Sequence, residues 1–205
     1  MKFKHKLLWI TLGFFAILIG CYPLIYGFVD MHNKGLLQSK SPELLHYSLW
    51  RLFFYTHISF GGLALSVGWI QFSSKLRKSN LNFHRWVGRV YVIAVLLSSI
   101  AGLYIAYFAS GGLISVLGFS SLGLLWFYTD VKAYITIHNL DIQAHKRWMI
   151  RNYALTFAAV TLRIWLPLMM LPVFNLGFLH AYPIVAWLCW VPNLIIAEII
   201  WVNKN

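Results

Sequence analysis

Acidic residues are almost missing from this chain: only five Asp and Glu occur in 205 residues, and only 11% of all residues are charged. A water-soluble domain of this length carries roughly 25% charged residues. So little polar surface cannot cover a globule in water, which excludes an ordinary soluble domain. Cysteine is equally scarce. Cys21 and Cys189 each lie in an apolar run, with no CxxC, CxxCH or Cys/His spacing, so neither a disulfide framework nor a zinc site is implied. The bland role for both is that of a small buried hydrophobe. GxSxG, a P-loop, HExxH and a GxGxxG on a strand–helix turn are also absent. Few carboxylates leave little scope for acid–base chemistry, and enzyme activity stays an open question.

What the chain has in abundance is apolar surface: 60% of its residues are hydrophobic and 18% aromatic. The net charge of +12 raises the question of nucleic acid, which calls for a basic face or stripe. Here Lys and Arg sit in short clusters between apolar runs, so no nucleic-acid partner is expected. A span needs about 20 mostly apolar residues to cross a hydrocarbon core about 30 Å thick. The stretches 7–29, 49–72, 87–108, 113–136, 150–173 and 181–203 qualify. The expected fold is therefore all-α: a polytopic bundle of six transmembrane helices in a single integral membrane domain over 1–205.

The connections orient that bundle. Lys75, Arg77, Lys78 and Arg85 fall in one loop, and Lys146, Arg147 and Arg151 near another. The 30–48 loop, Ser110-Gly111-Gly112 and the segment around His180 lie on the opposite side. Basic residues near span ends hold their loop in the cytoplasm. Lys2, Lys4 and Lys6 before the first span and Lys204 after the last agree. Both termini are expected on the cytoplasmic side of the inner membrane. Leu18-Ile19-Gly20-Cys21 fits a lipoprotein cleavage box, yet the apolar run continues to Phe28, beyond the roughly 7–15 residues of a signal h-region. The run reads as an uncleaved first span, with lipidation of Cys21 as the alternative. Pro167 and Pro172 are expected to bend or end the fifth span. Gly61-Gly62, Gly68, Gly118 and Gly123 mark close helix contact.

Two cytoplasmic junctions share a pattern. Arg85-Trp86-Val87-Gly88-Arg89-Val90-Tyr91 and Arg147-Trp148-Met149-Ile150-Arg151-Asn152-Tyr153 both read RWxxRxY, each preceded by a histidine, His84 or His145. Lys146 intervenes in the second copy. A duplicated two-helix hairpin, with units at about 49–108 and 113–173, accounts for this as a parallel internal repeat. Chance recurrence of an interfacial RW motif is the alternative.

The chain resembles a family of predicted membrane proteins, domain of unknown function 2306. The resemblance rests on His57 with Gly61-Gly62-Leu63-Ala64-Leu65, Gly68 and Gln71, then His84-Arg85-Trp86 with Gly88-Arg89-Val90-Tyr91. It continues through His145 to Arg163, and ends with Trp190-Val191-Pro192-Asn193-Leu194 and Glu198. It covers about residues 50–200, and the first span and the 30–48 loop lie outside it. The resemblance implies the membrane architecture and the choice of residues, but no activity.

Ionisable residues inside spans are costly and are candidate functional groups by default. His57 lies about 12 Å below the outer surface and Arg163 at nearly the same depth, which defines an outer-half site. Its bland counterpart is a His–carbonyl bond plus an arginine snorkelling to the headgroups. A cytoplasmic-side site gathers His84, Arg85, Arg89, Asp130, His145, Arg147, Arg151 and Glu198. Interhelical carboxylate–arginine pairs are expected among them. That group is either an anion or headgroup pocket or an ion-paired structural belt.

Three functions stay open: a membrane-embedded binding or carrier protein, in the form of a b-haem or quinone-linked electron carrier with His84 and His145 as haem ligands; a small transporter or lipid-interacting protein; and a non-catalytic scaffold. Beside the bilayer, the candidate partners are a quinone, an anionic lipid and a second copy of the chain.

Overall fold

A computed structural model describes residues 3–28, 35–172, 174 and 176–202. Lys2, Lys204 and part of the 30–48 loop, used above for orientation, lie outside the described residues. Helix α1 covers Phe3–Gly20 and passes into a 3-10 turn at Tyr22–Gly27, where Pro23 sets the backbone angle of the first turn. A 3-10 turn at Gly35–Ser39 and the short α2 (Pro42–His46) lead into α3 (Ser48–Gly68), which tightens into 3-10 form at Trp69–Phe72. After α4 (Ser74–Ser79) come two 26-residue helices, α5 (Leu81–Ala106) and α6 (Leu113–His138). The chain ends with α7 (Ile142–Thr156), α8 (Ala158–Met169), α9 (Phe178–Leu188) and α10 (Val191–Ala197), the last running into a π turn at Glu198–Val202. No strand occurs among the described residues.

Side-chain caps fix the helix starts at the basic end of the bundle. Asn80 accepts from the Phe83 N–H and Asp141 from the Ala144 N–H, each at 2.9 Å. Each bond satisfies one of the N–H groups a helix start leaves free. The Asn80 cap starts α5 at Leu81, six residues before the expected span.

Five helical stretches are long and apolar enough to cross a membrane: Trp9–Tyr26, Ser48–Phe72, Leu81–Ala106, Leu113–His138 and Phe178–Val202. The expected stretch at 150–173 is not among them. It is divided between α7, of 15 residues, and α8, of 12, which meet at Phe157. The expected breaker, Pro167, sits inside α8 and is not the cause. The break coincides with a hydroxyl that binds the chain's own carbonyl: Thr156 donates to Asn152 O at 2.9 Å, while Thr161 Oγ1 lies 3.3 Å from Phe157 O. Such a bond competes with the helical ladder.

The bundle buries a set of polar side chains within an apolar core and leaves large apolar ones on its outside. Ser98, Ser99, Ser115, Thr129, Asp130, Asn152 and Thr156 are buried, while Ile93, Leu97 and Ile100 on α5 and Ile114, Leu117 and Leu124 on α6 are exposed. In water this arrangement would forfeit the hydrophobic effect; in lipid, apolar exterior is solvated and polar groups seek one another. The α1–α3 crossing is close enough that a Cβ at Gly62 would lie 2.4 Å from the Gly20 carbonyl oxygen. The two motif tyrosines, Tyr91 and Tyr153, meet in the core with ring centroids 6.4 Å apart. They press on Gly68, where a Cβ would come within 2.6 Å of each ring. Beyond that meeting the two motif-bearing helices diverge: α5 continues unbroken, while α7 stops.

At the end opposite the basic loops, Lys40 reaches across to the α5–α6 turn. Its ammonium donates to the Phe108 carbonyl and, at 2.9 Å, to Ser110 Oγ. Burial holds this amine down at about 8, against an ordinary value of 10.5. Between those values the unfolded chain binds the proton and the folded chain releases it. Stability contributed by this group therefore rises as pH climbs from about 8 towards 10.5. Thermal unfolding in detergent should show this rise in the native protein and not in Lys40→Met, which carries no charge to release. Identical pH profiles for the two would remove Lys40 as the source.

Candidate functional site

Three helices, α5, α6 and α7, converge on a buried polar knot. The Tyr91 hydroxyl donates to Asn152 Oδ1 at 2.5 Å and lies 2.8 Å from Thr156 Oγ1. Trp126 Nε1 donates to the same Thr156 oxygen at 2.8 Å. Asn152 Nδ2 donates to Trp126 O at 2.9 Å and to Thr129 Oγ1 at 3.0 Å. With no water at this depth, each of these groups can be satisfied only by another in the bundle. The knot thereby fixes the relative rotation of the three helices.

A second knot ties two helix breaks together. The α7–α8 break at Phe157 and the α9–α10 break around Cys189–Trp190 lie side by side. Asn193 Nδ2 reaches Ala154 O at 3.3 Å, Thr161 Oγ1 at 3.1 Å and Cys189 O at 2.9 Å. Thr161 Oγ1 donates to Cys189 O at 2.5 Å. One asparagine thus serves carbonyls from both discontinuous helices. Pro192, in the first turn of α10, supplies no N–H and makes a break there cheap.

His57 and Arg163, on α3 and α8, line one small cavity of about 70 Å³, together with Ile19, Pro23, Gly61 and Gly62. The His57 Nδ1–H donates to Ser98 O at 2.9 Å, and Ser98 Oγ returns a bond to His57 O at 2.8 Å. That fixes the ring and leaves Nε2 of the neutral imidazole as an acceptor. Gly102 lets the ring lie against α5, since a Cβ there would come 2.9 Å from His57 Nδ1. Arg163 donates to Ala159 O at 2.9 Å, and its guanidinium lies 4.7 Å from the Tyr22 ring centroid. No carboxylate among the described residues pairs with it.

The family assignment follows from the α3–α10 segment that builds these sites. The family described as predicted membrane protein DUF2306 matches residues 54–201. The chain belongs to the DUF2306 family. No curated protein and no solved structure matches it. The DUF2306 segment holds both knots, His57 and Arg163, while α1 and Tyr22 lie before it.

The candidates expected on the cytoplasmic side of this DUF2306 protein sit in different settings. Arg151 and Glu198 close a two-pronged pair: Nε donates to Oε1, and Nη2 to Oε2 at 3.0 Å. The Arg151 guanidinium also lies 4.6 Å from the Trp148 ring centroid. Asp130 departs from the expectation of pairing. It is fully buried, and neither carboxyl oxygen has a hydrogen-bond partner among the described residues. Its nearest expected partner, Arg89, is exposed on α5, as is Arg85. Arg147 is half-buried and forms no ion pair with a described carboxylate. His145 donates Nδ1–H to Ala133 O at 2.8 Å. His84 is engaged differently: with the Gln71 amide turned so that both of its ends find partners, its nitrogen donates to His84 Nδ1 at 2.6 Å and its oxygen accepts from the Gly88 N–H at 3.1 Å. Cys21 and Cys189 are both free thiols.

Sequence reasoning passed over Asn152, Thr156, Thr161, Asn193 and Ser98, the polar residues that organise both knots and His57. Asn152 and Asn193 stand in the quoted motifs, so a signal was present. An uncharged amide, however, draws less notice than an arginine. Truncating Arg151 to Ala and Glu198 to Ala should each lower the melting temperature, with the double variant losing less than the sum. A double-mutant cycle in detergent should return a coupling on the order of 0.5–3 kcal/mol; additive losses would mean the pair holds nothing together.

Proposed function

We propose that this DUF2306 protein is a membrane-embedded binding or carrier protein, and that its ligand presents a compact anionic oxygen group to the cavity between His57 and Arg163. The observation that supports this reading is the meeting there of an arginine with no carboxylate partner among the described residues and an imidazole acceptor whose orientation is fixed. An ionised arginine in a bundle is normally paired or faces a cavity. Here it faces a cavity. The polar contacts suit a small oxyanion, or a lipid phosphate entering from the bilayer, with Arg163 as donor and His57 Nε2 accepting from a ligand O–H. At about 70 Å³ the space holds about two waters, at roughly 30 Å³ each. Ring-sized cofactors need pockets of about 300–1,000 Å³.

In this reading α7–α8 forms a sixth, discontinuous crossing beside the discontinuous α9–α10. The chain then crosses six times with both ends cytoplasmic, as the basic clusters Lys75–Lys78 and Lys146–Arg147 require. Paired helix breaks near a polar site are a feature of transporter sites, which favours movement of the ligand over mere storage. The test is uptake of inorganic phosphate into proteoliposomes, run beside exchange of a labelled anionic phospholipid between vesicles. Native protein should be active in one of the two, Arg163→Ala should lose at least about tenfold, the loss expected for about 1.4 kcal/mol of charge-assisted binding, and Arg89→Ala should behave as native. Equal activity in all three proteins, or none in the native one, would sink the assignment.

A second reading, a haem held by His84 and His145, is favoured by one observation. The His145 Nδ1–H bond to a carbonyl leaves Nε2 free, as in an axial ligand. His84 argues the other way, since an amide donor on Nδ1 places the ring proton on Nε2, where the metal would have to bind. Protein purified after expression with ample haem should therefore show no Soret band. A band that shifts on reduction and disappears in His145→Ala would replace the proposed function with electron transfer.

A further inference from the structure

The anion reading leaves one buried ionisable group unused. Asp130 has no exposed surface, and both of its carboxyl oxygens lack a hydrogen-bond partner among the described residues. It stands directly after Thr129, a member of the satisfied polar knot, and eight residues before the end of α6 at His138, about 12 Å along the axis. Among the described residues, no charged group on the helices packed against α6 forms an ion pair with it. On α5, Tyr91 bonds to Asn152, and Arg89 is exposed. On α7, Arg151 is held by Glu198, His145 by the Ala133 carbonyl, and Asn152 by Trp126 and Thr129. On α6 itself, Lys132 lies 5.7 Å from the Tyr128 ring centroid. From α9, the titratable groups are Tyr182, packed on Phe119 and so far towards the other end of α6, and His180 at the start of its helix.

A carboxylate with neither a counter-charge nor a hydrogen bond is among the most expensive groups to place away from water. A buried polar atom left unsatisfied calls for a missing ion or a functional role. Among the described residues the other buried side-chain atoms without a partner, Trp50 Nε1, Trp69 Nε1 and Ser115 Oγ, belong to neutral groups, and Asp130 is the ionisable residue among them.

We propose that Asp130 is a binding position for a monovalent cation, a proton or a sodium ion, taken up from the basic end of the bundle. A proton needs no space beyond the carboxyl itself. Sodium would need oxygen ligands besides the carboxyl, and the oxygens of Thr129 and Trp126 in the same helix already accept from Asn152. The site is separate from the His57–Arg163 cavity and does not depend on it. Where the cavity binds an anion, the two would allow an anion and a cation to travel together, which makes movement across the bilayer less costly than for either charge alone.

The experiment is thermal unfolding of the purified full chain in a neutral detergent, measured across pH from 5 to about 9 with sodium or with potassium as the salt, for the native protein and for Asp130→Asn. The amide has nearly the shape of the acid and carries no charge. If a proton fills the site, the native protein should be stabilised on acidification in either salt. If sodium does, it should be stabilised by sodium over potassium, most strongly at high pH. In both cases Asp130→Asn should lose that dependence and melt near the cation-loaded native protein. A native protein indifferent to pH and sodium, or an Asp130→Asn variant with the same responses as native, would overturn the proposal. Infrared spectra separate the two cations and cover the case of a variant that fails to fold. A carboxylic-acid band in the native protein that vanishes on deprotonation supports the proton, and a carboxylate band that shifts with sodium supports sodium. The absence of both changes counts against any cation there. Neither outcome bears on phosphate uptake or lipid exchange, so the two assignments fall separately.

Discussion

The structure depends on one constraint: a polar group inside this bundle has no water to turn to and can be satisfied only by another group of the protein or by what it binds. A hydrogen bond in a soluble protein replaces one to water at little net gain, whereas here the alternative is an unsatisfied group in hydrocarbon. The consequence is visible in how few side chains hold the interior in register. Tyr91, Asn152, Thr156 and Trp126 lock three helices, and Asn193 with Thr161 locks two broken ones. Apolar packing fills the space between but is nearly indifferent to rotation, because lipid is as good a neighbour as leucine.

The same constraint gives the helix breaks their meaning. Interrupting a helix in a membrane frees backbone groups at a cost of several kcal/mol each. At Ala154 and Cys189 the carbonyls are met by one amide. Interruption therefore comes with compensation built into the neighbouring helix, and the two breaks stand or fall together.

How much of this could be read from the sequence divides along physical lines. Helical class, membrane setting and family were legible, because length and hydropathy act over some twenty residues at a time and the motifs span most of the chain. His57 and Arg163 drew attention as ionisable residues inside apolar runs, and the fold places both on one cavity. The course of 150–173 was not legible: Pro167 looked like the breaker, while the hydroxyl at Thr156 coincides with the actual break ten residues earlier. Asp130 was expected to meet an arginine on grounds of depth alone. Depth along a helix is readable from residue number, but azimuth is not, and Arg89 points away from the interior. The proposed duplication fares similarly. The shared motifs do bring Tyr91 and Tyr153 together over Gly68, yet the helices that carry them part company beyond it.

The tight crossing of α1 over Gly62 reaches further than packing. It brings Ile19, Pro23 and Tyr22 against a cavity whose other walls, with His57 and Arg163, come from residues 54–201. The enclosure is thus assembled from two stretches of chain, the segment that the family model matches and a helix that lies before it. Exchanging that first helix would reshape the enclosure without touching a single bond of the two knots, whose members all lie within 54–201.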